Sequence, residues 1–169
     1  QLEGHSQLIQ SLAWNYDGSI LATSSKDKLL RLYDARQSSA SSQWQAHDGS
    51  KTSKLCWLGN SGKIVSVGFT RQSKRQFKIW DPKNTEKPLA TCDIDQAAGV
   101  IMPFYDEDIN VLYLAGKGDG NIRYYEIVPE APHYFQISEF RSSTSAKGCA
   151  ILPKSGNNIM GCEVTRLLK

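Results

Sequence analysis

Residues 20–34 read ILATSSKDKLLRLYD, which is two apolar segments joined by a short polar turn and closed by an aromatic–acidic pair, Tyr33-Asp34. Each apolar segment has the length and composition of a β-strand, and the polar residues between them suit a tight turn. Similar aromatic–acidic pairs occur at Trp80-Asp81 and Tyr125-Glu126. Because the aromatic positions are 47 and 45 residues apart, the chain carries an internal repeat.

A repeat of this length that ends in such a pair is typical of a WD-repeat β-propeller blade, a four-stranded sheet that cannot cover its own apolar faces. We therefore predict an all-β fold, a partial propeller with blade-like units at about 4–45, 46–95 and 97–140 and an incomplete unit at 146–169. A seven-bladed ring needs about 300 residues, and this chain has 169. We expect three to four of seven blades, with the open faces covered by the missing part of the ring or by self-association.

Blades of this kind are stabilised by a hydrogen-bonded chain of a loop histidine, a strand Ser or Thr, a turn aspartate and the aromatic residue of the third strand. In the first repeat these residues would be His5, Ser25, Asp27 and Tyr33. The corresponding positions of the later repeats hold His47, Trp80 and Asp119. The second repeat has no acid at its turn, so we do not expect a buried His–Asp network there.

The turn of the second repeat, residues 70–75, is unusually basic, since Arg71, Lys74 and Arg75 lie within it and Lys78 follows. Lys26 and Lys28 flank the equivalent turn of the first repeat, and Lys117 that of the third. If the repeats stack as blades, these turns share one rim, and the cations are candidates for binding an acidic partner. The alternative is a solvated loop whose arginines pair with acids of the adjacent blade. Further candidates are Lys51, Lys54 and Lys63.

The positions of the aromatic residues favour packing in the core over a binding site. Trp14 and Trp57 end first strands and Trp80 is the WD-like aromatic, so we expect these rings to fill space between blades. Trp44 lies between two glutamines in a predicted outer strand and is expected to be partly exposed. A competing hypothesis is a peptide pocket lined by Trp57, Tyr105 and Phe135.

Beyond the repeat pattern, the chain resembles the coronin family of actin-filament-binding WD-repeat proteins, over nearly its whole length and within the second half of their propeller. The segments that carry the resemblance are GFTRQSKRQ at 68–76, GVIMPFYD at 99–106, YLAGKGD at 113–119, IRYYE at 122–126 and CEVTR at 162–166. The resemblance implies a seven-bladed propeller in the cytoplasm that acts on the actin cytoskeleton. It implies actin filaments as partner and, through regions outside this chain, the actin-nucleating complex. The alternative function is a general WD-repeat scaffold in trafficking or signalling.

Several other functions have little support in the sequence. A net charge of +3 is small for a nucleic-acid-binding protein, and no apolar run is long enough to span a membrane. Four separated cysteines without a Cys-x-x-Cys pair favour buried free thiols over a metal site. The acidic run 106–110 lacks the glycine and the final glutamate of a calcium loop, and no nucleophile lies near His133 in the sequence. We predict no enzymatic activity, no metal and no cofactor.

Overall fold

A computed structural model describes residues 2–169 as three four-stranded antiparallel sheets and one two-stranded sheet. The first sheet contains β1 (Ile9–Trp14), β2 (Ile20–Ser25), β3 (Leu29–Asp34) and β4 (Ser42–Gln45). The second contains β5 (Lys54–Trp57), β6 (Ile64–Phe69), β7 (Arg75–Trp80) and β8 (Ala90–Asp95). The third contains β9 (Ile101–Asp106), β10 (Val111–Gly116), β11 (Ile122–Ile127) and β12 (Tyr134–Phe140), and β13 (Ala150–Ile151) pairs with β14 (Leu167–Leu168). Short 3-10 turns cover Gly59–Ser61, Lys154–Gly156 and Ile159–Gly161.

The strands of each large sheet pair in chain order, and the first strands of neighbouring sheets pack against each other. This is the meander of a propeller blade, with β1, β5 and β9 on the inner side of the arc. One core cluster lies between the first and second sheets and includes Leu30, Trp44 and Trp80. Another lies between the second and third sheets and includes Phe77, Leu112 and Tyr125. The predicted all-β, partial-propeller fold is therefore confirmed.

The antiparallel pairing puts the turns at two opposite rims of the arc. Ile9 pairs with Ser25 at one end of the first sheet and Trp14 pairs with Leu21 at the other. The turns after β2, β6 and β10 therefore share one rim, and the turns after β1, β5 and β9 share the other. The loops after β4 and β8 return to the first rim, where the Gly49 amide donates to the Phe69 carbonyl over 2.8 Å.

Two tryptophans lie in environments opposite to those predicted. Trp14 is 50% exposed, because Ser11 and Ala13 are the β1 residues that face the second sheet while Leu12 and Trp14 face away from it. Trp44 is 7% exposed and its ring lies 5.7 Å from that of Trp80. In such short strands the register, which places alternate residues on opposite faces, decides burial more than the polarity of the flanking residues.

In the part of the chain that the structure describes, no helix is long and apolar enough to cross a bilayer.

Candidate functional site

The hydrogen-bonded chain of the first sheet exists, but two of its predicted members are wrong. His5 Nε2 lies 3.2 Å from Thr23 Oγ1, not from Ser25, and His5 Nδ1 lies 3.2 Å from an amino group of Arg31. Arg31 is buried and forms a 2.8 Å ion pair with Asp27. An arginine within an apolar strand, four residues after a turn aspartate, was the signal in the sequence for this link.

Ser25 and Tyr33 bond to the segment before β1 instead. The Ser25 hydroxyl donates to the Gln7 carbonyl over 3.1 Å, and the Tyr33 hydroxyl donates to the Glu3 carbonyl over 2.8 Å. The phenolic hydroxyl lies at the tip of a longer side chain than an indole N–H, so it extends past the strand hydroxyls to the backbone. These two residues tie the N-terminal segment to the sheet rather than extending the histidine network.

In the second sheet a shorter chain links His47, Ser66 and Trp80, and no acid takes part. Trp80 Nε1 donates to Ser66 Oγ over 2.8 Å, and Ser66 Oγ lies 2.9 Å from His47 Nε2. Burial, together with the positive charge of the nearby Lys78, lowers the pKa of His47 to about 3. The imidazole is therefore neutral at physiological pH.

Arg75 was predicted to be a surface cation, but it is buried. It is 1% exposed and donates from Nε and one amino group to the two oxygens of Asp95 over 2.6 and 2.5 Å. Its other amino group pairs with Asp119 of the third sheet at 2.7 Å and with the Gly99 carbonyl at 3.3 Å. Arg75 is therefore a link between sheets, and the predicted blade residue Asp119 is its partner.

The Arg75 cluster continues outward through Arg123, which pairs with Asp95 at 2.9 Å and with Glu139 at 3.5 Å. Burial by itself raises the pKa of Asp95, but the hydrogen bonds from Arg75 and the Ala97 amide outweigh it and hold the pKa below its ordinary value. There is no room for a side chain at Gly116, where a Cβ atom would lie 2.1 Å from Asp119 and 2.6 Å from Arg75. The close approach of the two sheets at this point explains why Arg75 is buried.

Six of the other predicted cations lie together on one rim, which we call the basic rim: the turns after β2, β6 and β10 and the loop after β4. Its exposed members are Lys26, Lys28, Lys51, Arg71 and Lys117, and Lys74 is half-buried. Lys26, Lys28 and Lys51 line one crevice between the first two sheets. Lys28 Nζ donates to the carbonyl of Asp48, in the loop after β4, over 2.8 Å.

Two further lysines do not contribute free charge to the basic rim. Lys78 is half-buried, donates to the Ala46 carbonyl over 2.8 Å and lies over the Trp80 ring. Burial lowers the pKa of Lys78. Lys63 lies on the opposite rim, in the turn after β5, where its ammonium donates to the Pro129 carbonyl over 3.3 Å. The basic rim thus has fewer cations than the sequence predicted, although they come from all three large sheets.

The opposite rim carries a pocket of about 370 Å3 on the inner side of the arc. Trp57 and Tyr105, two residues of the predicted peptide pocket, line it together with Trp14, but Phe135 does not. The acidic run after β9 forms another wall, and Asp106 pairs there with Lys154 over 2.6 Å and accepts from Thr165 Oγ1 over 2.5 Å. Phe135 lies instead on the outer strand β12, where it is 51% exposed.

The cysteines are only partly as predicted. Cys56 and Cys92 pack against the core between the second and third sheets, whereas Cys162 is exposed. Its position just after a 3-10 turn, outside any four-stranded sheet, leaves its thiol uncovered. Within residues 2–169, no group of three or more His, Cys, Asp or Glu side chains is placed to hold a metal ion.

Comparison with known proteins confirms the resemblance to coronins. A family model for the WD domain, G-beta repeat, matches residues 1–34. Coronin-A of Dictyostelium discoideum is 45% identical over 168 residues, covering 99% of this chain and 37% of the relative, and human Coronin-2A is 41% identical over 165 residues, covering 98% and 31%. The crystal structure of the WD40 domain of Toxoplasma gondii coronin matches with a TM-score of 0.92 at 31% identity, over 99% of this chain and 43% of that one. The chain thus spans about a third of the length of these curated relatives.

Proposed function

Because this chain is homologous to the coronins over nearly its whole length, we propose that it is a non-catalytic, actin-filament-binding part of a coronin-type propeller that regulates the actin cytoskeleton in the cytoplasm. In this function the sheets are a scaffold and the turns between strands contact the filament. The rest of the ring would cover the open faces of the arc, and the actin-nucleating complex would bind to regions outside this chain.

The observation that carries the proposal is the charge of the basic rim. Lys26, Lys51, Arg71 and Lys117 form no ion pair within the described residues, so their charges are available to a partner. Actin filaments present acidic surface, and a row of exposed cations both accelerates encounter and orients the bound protein. Because these cations are in contact with water, salt should weaken the interaction strongly.

The structure also changes which residues the proposal assigns to binding. Arg75 is excluded because its guanidinium is buried between two acids, and Lys78 because it is half-buried and lies over the Trp80 ring. Lys51, one of the further candidates from the sequence, is retained because it lines the same crevice as Lys26 and Lys28. The candidate contact residues are therefore Lys26, Lys28, Lys51, Arg71, Lys74 and Lys117.

Co-sedimentation with actin filaments tests the proposal on the purified protein that contains this chain. We expect pelleting at about 50 mM salt that falls several-fold at about 200 mM, where the Debye length is shorter. Reversing two charges of the rim, Arg71→Glu with Lys74→Glu, should reduce pelleting at the lower salt. The matched control reverses Lys83 and Lys87, two exposed lysines on the opposite rim, and should pellet as the parent protein does.

The general-scaffold alternative makes a different prediction for the same variants. If the rim bound an acidic peptide in a salt-dependent manner while the protein did not pellet with filaments at either salt concentration, the actin assignment would be wrong and the scaffold function would stand. Pelleting that is equal for the rim variant and the control variant would likewise contradict the assignment of this rim.

A further inference from the structure

The crevice between the first two sheets, which we call the lysine crevice, lies on the basic rim and has both of its walls within this chain. Lys26 and Lys28 line it from the turn after β2, and His47 and Lys51 line it from the loop after β4. Its other lining residues are Gln10, Ser25, Gly49 and Ser53. At about 10 Å3 it has room for about one water-sized atom. Because both sheets are present, closing the ring with further blades leaves this part of the rim open to a partner.

Two of the three ammonium groups at the crevice are held in place by other parts of the protein. Lys28 Nζ donates to the Asp48 carbonyl over 2.8 Å, and Lys51 Nζ lies 4.8 Å from the centroid of the Phe69 ring. The loop that carries Lys51 is fixed as well, because the Gly49 amide donates to the Phe69 carbonyl over 2.8 Å. There is no room for a side chain at Gly49, where a Cβ atom would lie 2.6 Å from that carbonyl oxygen. The positive charges are therefore positioned before a partner binds, which lowers the entropic cost of binding.

No acid within residues 2–169 neutralises these charges. None of the three lysines forms an ion pair there. The two acids closest to them in the sequence are engaged elsewhere. Asp27 pairs with Arg31 at 2.8 Å, and the carboxylate of Asp48 accepts from Gln45 Nε2 over 2.8 Å. Three positive charges thus meet at one crevice without a negative charge, which favours binding of an anion.

His47 adds a hydrogen-bond donor that has no acceptor. It is 4% exposed, and its Nδ1 atom has no hydrogen-bond partner within the described residues. Ser66 Oγ accepts from Trp80 Nε1 over 2.8 Å, lies 2.9 Å from His47 Nε2 and forms no other hydrogen bond in the described part of the chain. The Ser66 hydroxyl therefore donates to Nε2, which puts the proton of the neutral imidazole on Nδ1. A buried N–H group of this kind needs an acceptor such as an oxygen atom.

From these contacts we propose that the lysine crevice binds the carboxylate of an aspartate or glutamate side chain of a partner protein. One carboxylate oxygen fits the crevice and accepts from His47 Nδ1, while the other stays at the mouth among the ammonium groups. In the first sheet the turn supplies its own acid, because Asp27 neutralises the buried Arg31. The turn after β6 has no acid, so at the second sheet the carboxylate comes from outside. This inference rests on the proposed function for its setting, since the crevice is part of the basic rim, and it adds the chemical group that the partner inserts.

Lysine acylation followed by mass spectrometry measures this binding without filaments. The probe is a short Gly/Ser peptide with one central glutamate, acetylated and amidated at its ends, and the control peptide has glutamine at that position. The purified protein that contains this chain is treated with an amine-acylating reagent at low salt, with and without about 10 mM peptide. We expect the glutamate peptide to slow acylation of the three crevice lysines at least about threefold. Lys117, on the same rim but outside the crevice, should react at an unchanged rate, and the glutamine peptide should protect no lysine.

Two variants that lose the same charge separate the crevice from the rest of the rim. Lys26→Gln with Lys51→Gln removes two crevice charges, and the glutamate peptide should then no longer protect Lys28. Arg71→Gln with Lys117→Gln removes two charges of the same rim outside the crevice and should leave protection of Lys28 unchanged. The crevice assignment is overturned if the glutamine peptide protects as well as the glutamate peptide, or if both double variants lose protection equally.

Filament pelleting is measured on the same protein, so that the two claims fail separately. Protection by the glutamate peptide without pelleting would contradict actin binding and leave the crevice assignment standing. Pelleting without protection by the glutamate peptide would overturn the crevice assignment alone.

Discussion

Replacing Arg75 by methionine tests whether this residue links two sheets or belongs to a partner-binding surface. Methionine keeps most of the aliphatic volume and removes the guanidinium. The substitution removes the cation that now lies 2.5 Å from Asp95 and 2.7 Å from Asp119, so that Asp119 loses its ion pair and Asp95 keeps only the one with Arg123. Both acids lie in partly enclosed positions, 24% and 17% exposed, so water compensates for only part of the loss.

The expected loss of stability follows from that geometry. Removing one partner of a buried ion pair costs about 3–5 kcal/mol. Because the two acids retain some contact with water, which screens them, we expect about 2–4 kcal/mol for Arg75→Met. For a chain of this size that corresponds to a fall in melting temperature of about 5–15 °C. Arg71→Met, an exposed change in the same turn, should stay within about 0.5 kcal/mol.

Urea unfolding followed by far-UV circular dichroism measures both variants under the same conditions. The expected result is a much lower urea midpoint for Arg75→Met than for Arg71→Met, with a similar slope. If the two variants unfolded at the same urea concentration, or if Arg75→Met unfolded as the parent does, the guanidinium would not be a structural link. Arg75 would then return to the candidate partner surface.

Three further predictions concern acids, thiols and the second-sheet network. The pKa of Asp95 is lowered in the folded protein. Its contribution to stability is therefore present above its unfolded pKa of about 3.9 and is lost as pH falls through the folded pKa. Between pH 7 and pH 3 the urea midpoint of Arg75→Met should fall less steeply than that of the parent protein. Cys162 is exposed, while burial raises the pKa of Cys56 to about 12. A thiol reagent should therefore modify Cys162 first, Cys162→Ser should remove the fast phase, and equal rates for both thiols would contradict this order. Trp80→Phe removes the donor to the buried serine hydroxyl and should cost about 1–3 kcal/mol in thermal or urea unfolding, whereas an unchanged midpoint would show that this bond contributes nothing.

The strands were predictable because they depend on local pattern. The segments that form β2 and β3 coincide with the two apolar segments within residues 20–34, which the polar turn separates. The spacing of the aromatic–acidic pairs identified the repeat, because each blade needs one such residue at the same place in its third strand. Local composition and periodicity therefore sufficed for the fold class.

The environments of single side chains were not predictable in the same way. Arg75 was taken as a surface cation because its turn is basic, but its burial depends on Asp119, which lies 44 residues away and in another sheet. Trp14 was taken as core and Trp44 as exposed, because the register that decides which face a residue occupies is set by pairing between strands. Contacts between blades join residues that are far apart in the sequence, so local patterns do not show them. The sequence therefore predicted which rim holds the candidate site, but not which residues of that rim are free to bind.

Zero-length cross-linking to actin filaments probes the filament-binding surface itself, because this chemistry joins only amines and carboxylates that are already in contact. The predicted result is that peptides cross-linked to actin contain Lys26, Lys28, Lys51, Lys74 or Lys117, and that the yield falls as salt is raised. Cross-links that instead contain Lys83 or Lys87 of the opposite rim, or none at all with bound protein, would contradict the claim that the basic rim is the filament-binding surface.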